Sequence, residues 1–284
     1  MNICIIATVC IDSNVSENSS YTAAGSPAMF MNKIFKQLDG CNVSIVTSYG
    51  PDFVKYLDGV NVLPSKPNTA KTMVYENVSK AGLRTQKSYN RENAFAVELD
   101  NSIINALRQA DVVFLAPLTP IYSKAYIRSV IANLKPDALK VILPQGFYRN
   151  FDSENNVIAR EFVEAKEILP LMDIVVVSEQ DSPNMLVEAK EWASNMNVIP
   201  IVTLGEKGAV AIKGKDEIML PTIPVPENEV VDSVGSGEIF TAAFVYKYKQ
   251  TMDLEKAGKF ANAVARQCLF YKPADIKIDL SKIL

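Results

Sequence analysis

The chain reads Val230-Val231-Asp232-Ser233-Val234-Gly235-Ser236-Gly237-Glu238-Ile239-Phe240 at the point where an apolar helical pattern begins. Gly235 and Gly237 permit backbone conformations that other residues resist, and they let a ligand approach the main chain closely. The free N–H groups at the start of a helix favour anions such as a phosphoryl group. Glu238, in the first helical turn, can accept the proton of an attacking hydroxyl. Alternatively, the same residues form a glycine-rich loop with an acid that caps the helix.

Short apolar runs alternate with longer amphipathic segments along the chain. The runs are apolar almost throughout, as in strands covered on both faces of a parallel sheet, and they lie at Ile3–Val9, Val43–Thr47, Asp111–Ala116, Lys140–Leu143, Ile174–Ser178 and Val198–Thr203. The helical patterns lie at Ala28–Leu38, Ser102–Gln109, Lys124–Asn133, Val157–Ile168, Ser182–Asn195, Gly237–Tyr248 and Leu254–Phe270. This alternation predicts an α/β fold with a doubly wound, mostly parallel sheet flanked by helices. Ligands of such folds bind at the carboxyl ends of the strands.

One segment, residues 69–97, interrupts this alternation. It is polar, and its apolar residues alternate with polar ones, as in a hairpin outside the main sheet. The length of 284 residues is ordinary for one large α/β domain. We therefore predict a single domain over residues 1–284 with a small β lid, whose segments lie around residues 12–25 and 69–97.

Composition and charge exclude several classes of function. The chain contains no histidine, which rules out Ser-His-Asp and Cys-His catalysis and every histidine-ligated metal site. The net charge is −3 and the basic residues are not clustered, so we expect neither nucleic acid nor a membrane surface as a partner. No stretch approaches the 18 apolar residues of a membrane span. The chemistry must use carboxylates, amides, backbone N–H groups, Lys or Arg.

The cysteines and the first residues indicate a cytoplasmic protein. The four cysteines form no C-x-x-C pair, and Cys4 and Cys10 lie in or near an apolar strand, as reduced buried thiols do. The first residues lack the charged region and cleavage site of a signal peptide. We therefore expect the protein to act in the cytoplasm.

The segment at residues 232–240 also resembles the signature of a known family. It reads D-S-V-G-S-G-E-I-F, and the ribokinase-like (PfkB) carbohydrate kinase family has D-T-x-G-A-G-D-x-F near its C-terminus. Further segments resemble that family in the same order, at residues 7–12, 24–28, 50–52, 203–208 and 260–263. The matches extend over nearly the whole chain.

The resemblance implies an ATP-dependent kinase that phosphorylates a hydroxyl group of a small sugar, polyol or nucleoside. It implies that Glu238 is the base, with N–H groups for the transferred phosphoryl offered by Gly235, Ser236 and Gly237. Substrate-binding residues would be Asp12, Asn14, Gly25 and Arg149. Residues at the nucleotide would be Ser178, Thr203, Gly205, Gly208 and Asn262, with Asp181 at Mg²⁺. Lids of this family often pair, which makes the lid a candidate homodimer contact.

The chain departs from the family pattern at several of these positions. Glu238 replaces the family's Asp, and its extra methylene moves the carboxylate by roughly 1 Å, a displacement that can cost on the order of a hundredfold in rate. Ala24 replaces a glycine of the substrate loop, and Met29 replaces an Asn that follows it. The family's N-x-x-E pair is replaced by Ser178 and Asp181, which still offer oxygens suited to Mg²⁺ through water.

These departures leave alternatives open. The chain is an active kinase with an unusual substrate, or a catalytically weak or inactive relative that binds sugar or nucleotide as a regulatory protein. Arg149 either clamps an anionic group of the substrate or pairs with Asp152 or Glu154 at the surface. A dinucleotide-binding oxidoreductase would need G-x-G-x-x-G after the first strand, where the chain instead has Cys10-Ile11-Asp12.

Overall fold

The computed structural model describes residues 1–16, 20–80, 83–272 and 275–283. Its strands, in chain order, are β1 Asn2–Ala7, β2 Cys10–Ser16, β3 Ser20–Gly25, β4 Asn42–Val46, β5 Val62–Leu63, β6 Val74–Lys80, β7 Leu83–Tyr89, β8 Val112–Ala116, β9 Leu139–Ile142, β10 Arg149–Phe151, β11 Val157–Ala159, β12 Ile174–Ser178, β13 Ile199–Thr203, β14 Ala209–Lys213 and β15 Asp216–Leu220. Its α-helices are α1 Pro27–Phe35, α2 Asn101–Gln109, α3 Lys124–Ile131, α4 Ala165–Ile168, α5 Met185–Asn195, α6 Ser236–Thr251 and α7 Leu254–Cys268.

The chain folds into two compact units. The first comprises Met1–Met29, Val43–Ala138 and Pro144–Ala165, and the second comprises Phe30–Asn42, Leu139–Leu143 and Lys166–Leu284. Each unit contains parallel strands with helices. The prediction of one domain over residues 1–284 stays a prediction.

The first unit holds two main groups of strands. One group follows the order β8-β1-β4-β5, and the pairs β1–β8 and β4–β5 are parallel. All five residues of β8 are buried, as in a strand covered on both faces. The other group is a four-stranded sheet in the order β3-β2-β6-β7, which we call the lid sheet. Its strands come from the two segments predicted to form a lid.

The lid sheet has a mixed pairing pattern that sets its cross-strand neighbours. Strand β2 is antiparallel to β3 and parallel to β6, and β6 is antiparallel to β7. In this register Asp12 stands opposite Tyr75, and Tyr75 stands opposite Ser88. Successive side chains of a strand point to opposite faces, so these three residues share one face of the lid sheet.

The second unit is built on strands in the order β15-β14-β13-β12-β9. The pairs β9–β12 and β12–β13 are parallel, whereas β13–β14 and β14–β15 are antiparallel. Helix α6 is buried along much of its length, with Ala242, Ala243 and Phe244 fully enclosed. Helix α7 begins at the N-cap Asp253, whose carboxylate accepts from the Lys256 N–H.

The predicted helix over Val157–Ile168 is wrong. Residues Val157–Ala159 form strand β11, in which Val157 pairs antiparallel with Phe151 of β10, and helix α4 covers only Ala165–Ile168. Between them the Phe162 ring stacks on Phe147 at 4.9 Å between centroids. The apolar spacing that suggests a helix is therefore used by a hairpin and an aromatic contact, because tertiary packing outweighs a weak local preference. The six predicted core strands all occur, with ends shifted by at most two residues.

Within the described residues, no helix is both long and apolar enough to cross a bilayer.

Candidate active site

The start of helix α6 is shaped by Gly235. This residue caps the helix with φ 81° and ψ 4°, in the left-handed region that favours glycine. A Cβ atom built on Gly235 would lie 2.4–2.6 Å from carbon atoms of the Phe30 ring. Both the backbone conformation and the packing therefore require glycine at this position.

The turn before α6 is held by its own polar groups. The Asp232 carboxylate accepts a hydrogen bond from the Val234 N–H at 2.8 Å. The Ser236 N–H donates to the Ser233 carbonyl at 3.2 Å, and the Ile239 N–H donates to the Gly235 carbonyl at 2.9 Å. The Ser236 N–H predicted to contact a phosphoryl group is thus used within the turn in this structure.

Gly237 and Glu238 lie in the first turn of α6. A Cβ built on Gly237 would have no neighbour within 4 Å, so the space above this backbone is open. A first-turn N–H has no partner within its own helix, which leaves the Gly237 N–H suited to an anion. The Glu238 side chain is half-buried on the same turn. This arrangement places an open N–H and an acidic residue in the same turn, at the positive end of a helix dipole.

The residues predicted at the nucleotide begin at the carboxyl ends of β12 and β13. Ser178 and Thr203 stand opposite each other in the parallel register of these strands. The Thr203 hydroxyl donates to the Val177 carbonyl at 3.3 Å. Their side chains therefore lie at the edge where open α/β sheets bind ligands.

The loop after Thr203 depends on two glycines with positive φ. Gly205 has φ 57° with open space around its Cα, whereas a Cβ on Gly208, at φ 93°, would lie 2.2 Å from the Leu220 carbonyl oxygen. The Leu204 N–H donates to the Gly208 carbonyl at 2.8 Å and closes the turn into β14. Gly208 is explained by this close backbone contact, and Gly205 is the glycine whose backbone is open to a ligand.

Asp181 folds back on its own loop. Its carboxylate accepts from the Ser178 N–H at 2.8 Å, and the Ser178 hydroxyl accepts from the Gln180 N–H at 3.2 Å. Among the described residues, no group of three or more Cys, Asp or Glu side chains has the arrangement of a metal site. The role of Asp181 at Mg²⁺ therefore stays a prediction, in which the metal would arrive with the nucleotide phosphates.

Asn262 is buried on α7 and ties this helix to the end of β15. Its side-chain nitrogen donates to the Leu220 carbonyl at 2.8 Å and to the Pro221 carbonyl at 3.1 Å. These bonds give Asn262 a structural role. Its predicted contact with a nucleotide would have to use the side-chain oxygen.

In the first unit, Asp12 lies on β2 with its carboxylate directly over Gly25 of β3. A Cβ on Gly25 would approach the Asp12 carboxylate atoms to 2.3–2.5 Å, so a glycine here makes room for the acid. The Cys10 thiol donates to Asp12 Oδ1 at 3.5 Å. Burial, and then the nearby Asp12 charge, raise the pKa of Cys10 well above its usual value, which keeps this thiol protonated.

Arg149 lies beside the same group of residues. Its guanidinium carbon is 5.0 Å from the centroid of the Tyr75 ring, and the Tyr75 hydroxyl donates to the Leu118 carbonyl at 2.9 Å. The Asp152 carboxylate is engaged elsewhere, since it accepts from the Glu154 N–H and the Asn156 N–H, each at 2.8 Å. Arg149 thus faces the lid sheet, which favours the substrate-binding interpretation over the surface ion pair with Asp152.

The family model for pfkB family carbohydrate kinases matches residues 57–279. The chain belongs to this pfkB family. A protein of Archaeoglobus fulgidus named as an uncharacterized sugar kinase is 30% identical over 125 residues, which are 42% of this chain and about half, 49%, of that protein. Cytidine kinase of Thermococcus kodakarensis is 22% identical over 256 residues, 82% of this chain and 83% of that protein.

Two solved kinase structures share the fold. A pyrophosphate-dependent kinase in the ribokinase family, complexed with a pyrophosphate analog and myo-inositol, superposes with a TM-score of 0.73 at 21% identity over 93% of both chains. Arabidopsis thaliana ribokinase, complexed with ribose and ATP, superposes with a TM-score of 0.71 at 18% identity over 95% of this chain and 93% of that chain. These likenesses confirm the predicted ribokinase-like α/β fold.

Two residues of the lid sheet were not predicted as part of a site. The Gln86 side-chain nitrogen donates to Asn77 Oδ1 at 2.8 Å, and the Asn77 nitrogen donates to Asn14 Oδ1 at 3.1 Å. The period of two along residues 74–89 places Asn77 and Gln86 on the polar face of a strand, which is the signal available in the sequence. Only the cross-strand register shows that they meet Asn14.

Proposed function

We propose that this pfkB-family protein transfers a phosphoryl group from Mg-ATP to a hydroxyl of a small sugar, polyol or nucleoside. The observation that carries the proposal is the start of α6, where Gly235 adopts a left-handed cap and Glu238 follows in the first turn. An open backbone at Gly237 and a nearby carboxylate suit the two needs of such a transfer, namely stabilised phosphoryl charge and a proton acceptor.

Each group of residues has a proposed task. Glu238 accepts the proton of the attacking hydroxyl, and the Gly237 N–H, with the helix dipole, stabilises the transferred phosphoryl. Asp12, Asn14, Gly25 and Arg149 are the proposed substrate-binding residues of the first unit. Bound Mg-ATP supplies the phosphoryl group and a divalent charge that screens it, and Ser178, Thr203 and Gly205 are the proposed residues beside the nucleotide.

Neighbouring structures support this choice of ligands. One is complexed with ribose and ATP, and another with myo-inositol and a pyrophosphate analog. The family relation supports a sugar, polyol or nucleoside as acceptor, and ATP stays the proposed donor. A cytoplasmic location and a homodimer formed through the lid sheet belong to the same proposal.

The first experiment measures ADP release with Mg-ATP across a panel of sugars, inositols and nucleosides. A parallel series with pyrophosphate measures phosphate release, so that the donor is identified along with the acceptor. Turnover of one acceptor with ATP supports the proposal. ATP binding by calorimetry without turnover of any acceptor would instead support the catalytically inactive relative, which Glu238, Met29 and Ala24 favour.

The second experiment replaces the proposed base. Glu238→Gln keeps the size of the side chain and removes its basicity, so kcat should fall about 10²–10⁴-fold while nucleotide affinity stays nearly unchanged. Glu255→Gln is a matched control, because Glu255 is also an acid in the first turn of a neighbouring helix, α7. Equal turnover in the two variants would remove Glu238 from the mechanism. Glu238→Asp, which restores the family's residue, should keep far more activity than Glu238→Gln.

A further inference from the structure

A ladder of three side-chain amides crosses the lid sheet. Gln86 on β7, Asn77 on β6 and Asn14 on β2 stand directly opposite one another in the strand register. Gln86 Nε2 donates to Asn77 Oδ1 at 2.8 Å, and Asn77 Nδ2 donates to Asn14 Oδ1 at 3.1 Å. Asn77 at the centre is 7% exposed, so its polar atoms bond within the protein rather than to water.

The ladder has a direction. Gln86 donates to Asn77, and Asn77 in turn donates to Asn14, so both hydrogen bonds point from Gln86 towards Asn14. An amide whose oxygen is held in this way presents its NH₂ group at the opposite end. Among the described residues, the Asn14 side-chain nitrogen has no hydrogen-bond acceptor. Asn14 therefore ends the ladder as a donor.

This donor stands beside the proposed substrate residues. Asn14 follows Asp12 by two positions on β2, so the two side chains share a face and are separated by about 6.6 Å along the strand. Tyr75, over which the Arg149 guanidinium lies, is directly opposite Asp12. This face of the lid sheet thus carries the Asp12 carboxylate, which only accepts hydrogen bonds. Two residues along the strand it carries the Asn14 amide, whose orientation depends on the ladder.

We propose that Asn77 and Gln86 are positioning residues, which hold the Asn14 amide with its NH₂ group towards the substrate. The inference rests on the proposed function. The protein then selects a substrate that places a hydrogen-bond acceptor, such as a hydroxyl or carboxylate oxygen, at Asn14. It discriminates against a substrate that places an ammonium group there, since two donors would face each other.

The test reverses the ladder from its far end. In Gln86→Glu the carboxylate only accepts, so Asn77 must turn its nitrogen towards residue 86 and Asn14 must turn its nitrogen towards Asn77. Asn14 then presents its oxygen to the substrate. Gln86→Lys only donates and keeps the original direction, so it should keep the unmodified protein's preference between accepting and donating analogues.

The readout is the ratio of the affinities for two substrate analogues, measured by calorimetry. The ratio of their kcat/KM values is measured in parallel. The ligands are analogues of a sugar or polyol that the unmodified protein binds, each with one hydroxyl replaced by fluorine, which accepts, or by an ammonium group, which donates. Asn14→Leu identifies the ring position read by Asn14, because discrimination disappears only there. At that position the unmodified protein and Gln86→Lys should bind the fluorinated analogue more tightly than the ammonium analogue. Gln86→Glu should change the ratio of these two affinities at least tenfold in favour of the ammonium analogue.

Charge alone is controlled by a second acidic variant. Thr85 is exposed and precedes Gln86, so its side chain points to the opposite face of the same strand. Thr85→Glu adds the same charge without touching the ladder and should leave the ratio unchanged. If Gln86→Glu is too unstable to purify, Asn77→Leu interrupts the ladder without adding charge and should reduce discrimination in both directions.

The outcomes separate this inference from the proposed function. If Gln86→Glu and Thr85→Glu give the same ratio, or if Asn77→Leu discriminates as the unmodified protein does, the ladder does not set specificity, whatever the turnover. If the ratio reverses in binding while no acceptor is phosphorylated, the ladder stands and the proposed phosphoryl transfer falls. If no sugar, polyol or nucleoside binds at all, both are overturned.

Discussion

Gly235→Ala is expected to destabilise the protein strongly, although it adds only one methyl group. Two independent effects act at this position. The residue has φ 81°, and a left-handed backbone costs an L-residue about 1–2 kcal/mol. The new Cβ would also lie 2.4–2.6 Å from the Phe30 ring, which is 8% exposed, and overpacking of this kind costs about 1–3 kcal/mol. The free energy of unfolding should therefore fall by about 2–5 kcal/mol.

The assay is equilibrium unfolding in urea, followed by the fluorescence of Trp192. This is the chain's single tryptophan, and it is buried on α5 in the same unit as Gly235 and Phe30. Phe30→Leu removes part of the ring, so Gly235→Ala made in that background should lose most of the packing cost and retain the backbone cost of about 1–2 kcal/mol. The difference between the two backgrounds measures the contact itself.

Gly237→Ala is the matched control two residues further along. Its Cβ would meet no atom within 4 Å, and Ala is favoured over Gly in a helix by about 0.5–1 kcal/mol. The two alanine variants should therefore change stability in opposite directions. If their urea midpoints agree within experimental error, the structural account of this turn is incorrect.

Three further predictions concern other parts of the chain. Gly25→Ala places a methyl group against the Asp12 carboxylate, which can rotate away. The KM for the acceptor should therefore rise about tenfold with little change in melting temperature. An unchanged KM would show that Asp12 does not bind the substrate. Asp100→Ala should cost about 0.5–1 kcal/mol near pH 7, because Asp100 caps α2 by accepting from the Ile103 N–H. Hydrogen bonds from the Ser102 hydroxyl and the Ile103 N–H hold the pKa of Asp100 below its usual value. The stabilising effect of Asp100 is therefore present above about pH 4 and is lost as the pH falls through the lowered pKa. The urea midpoints of the unmodified protein and Asp100→Ala, measured between pH 3 and 7, should converge at the acidic end. In native protein at pH 8, a thiol reagent should label Cys41 first, because Cys41 is half-exposed and the other three thiols are buried. Burial raises the pKa of all four thiols, to about 12 for Cys4 and Cys268 and well above the usual value for Cys10.

Local sequence patterns were sufficient for the strands of the parallel sheets. Ile174–Ser178 is apolar and buried at its first four positions, and strand β12 occupies those same residues. A strand buried on both faces must be apolar at every position, so it can be recognised without knowledge of its neighbours. The segment at 157–168 lacks this property, because its apolar residues are shared between a hairpin and contacts with Phe147.

The candidate site divides in a similar way. The spacing of Gly235, Gly237 and Glu238 predicts a glycine cap followed by a helix, and α6 begins at Ser236 as expected. The sequence also pointed to Asp12 and Arg149 through the family resemblance. Local patterns could not show that Tyr75 pairs opposite Asp12 and packs against Arg149, because these contacts join residues far apart in the chain.

The sequence by itself determined the α/β class, the family and the acidic helix start at residues 232–240, because each follows from short patterns of residues adjacent in the chain. Only the tertiary structure decided which residues support that start and which side chains meet Asn14. Gly235 must be glycine because Phe30 packs on it, and Asn77 meets both Asn14 and Gln86 because the three stand opposite one another across the lid sheet. Both facts follow from strand register and packing between distant segments, and no local pattern encodes them.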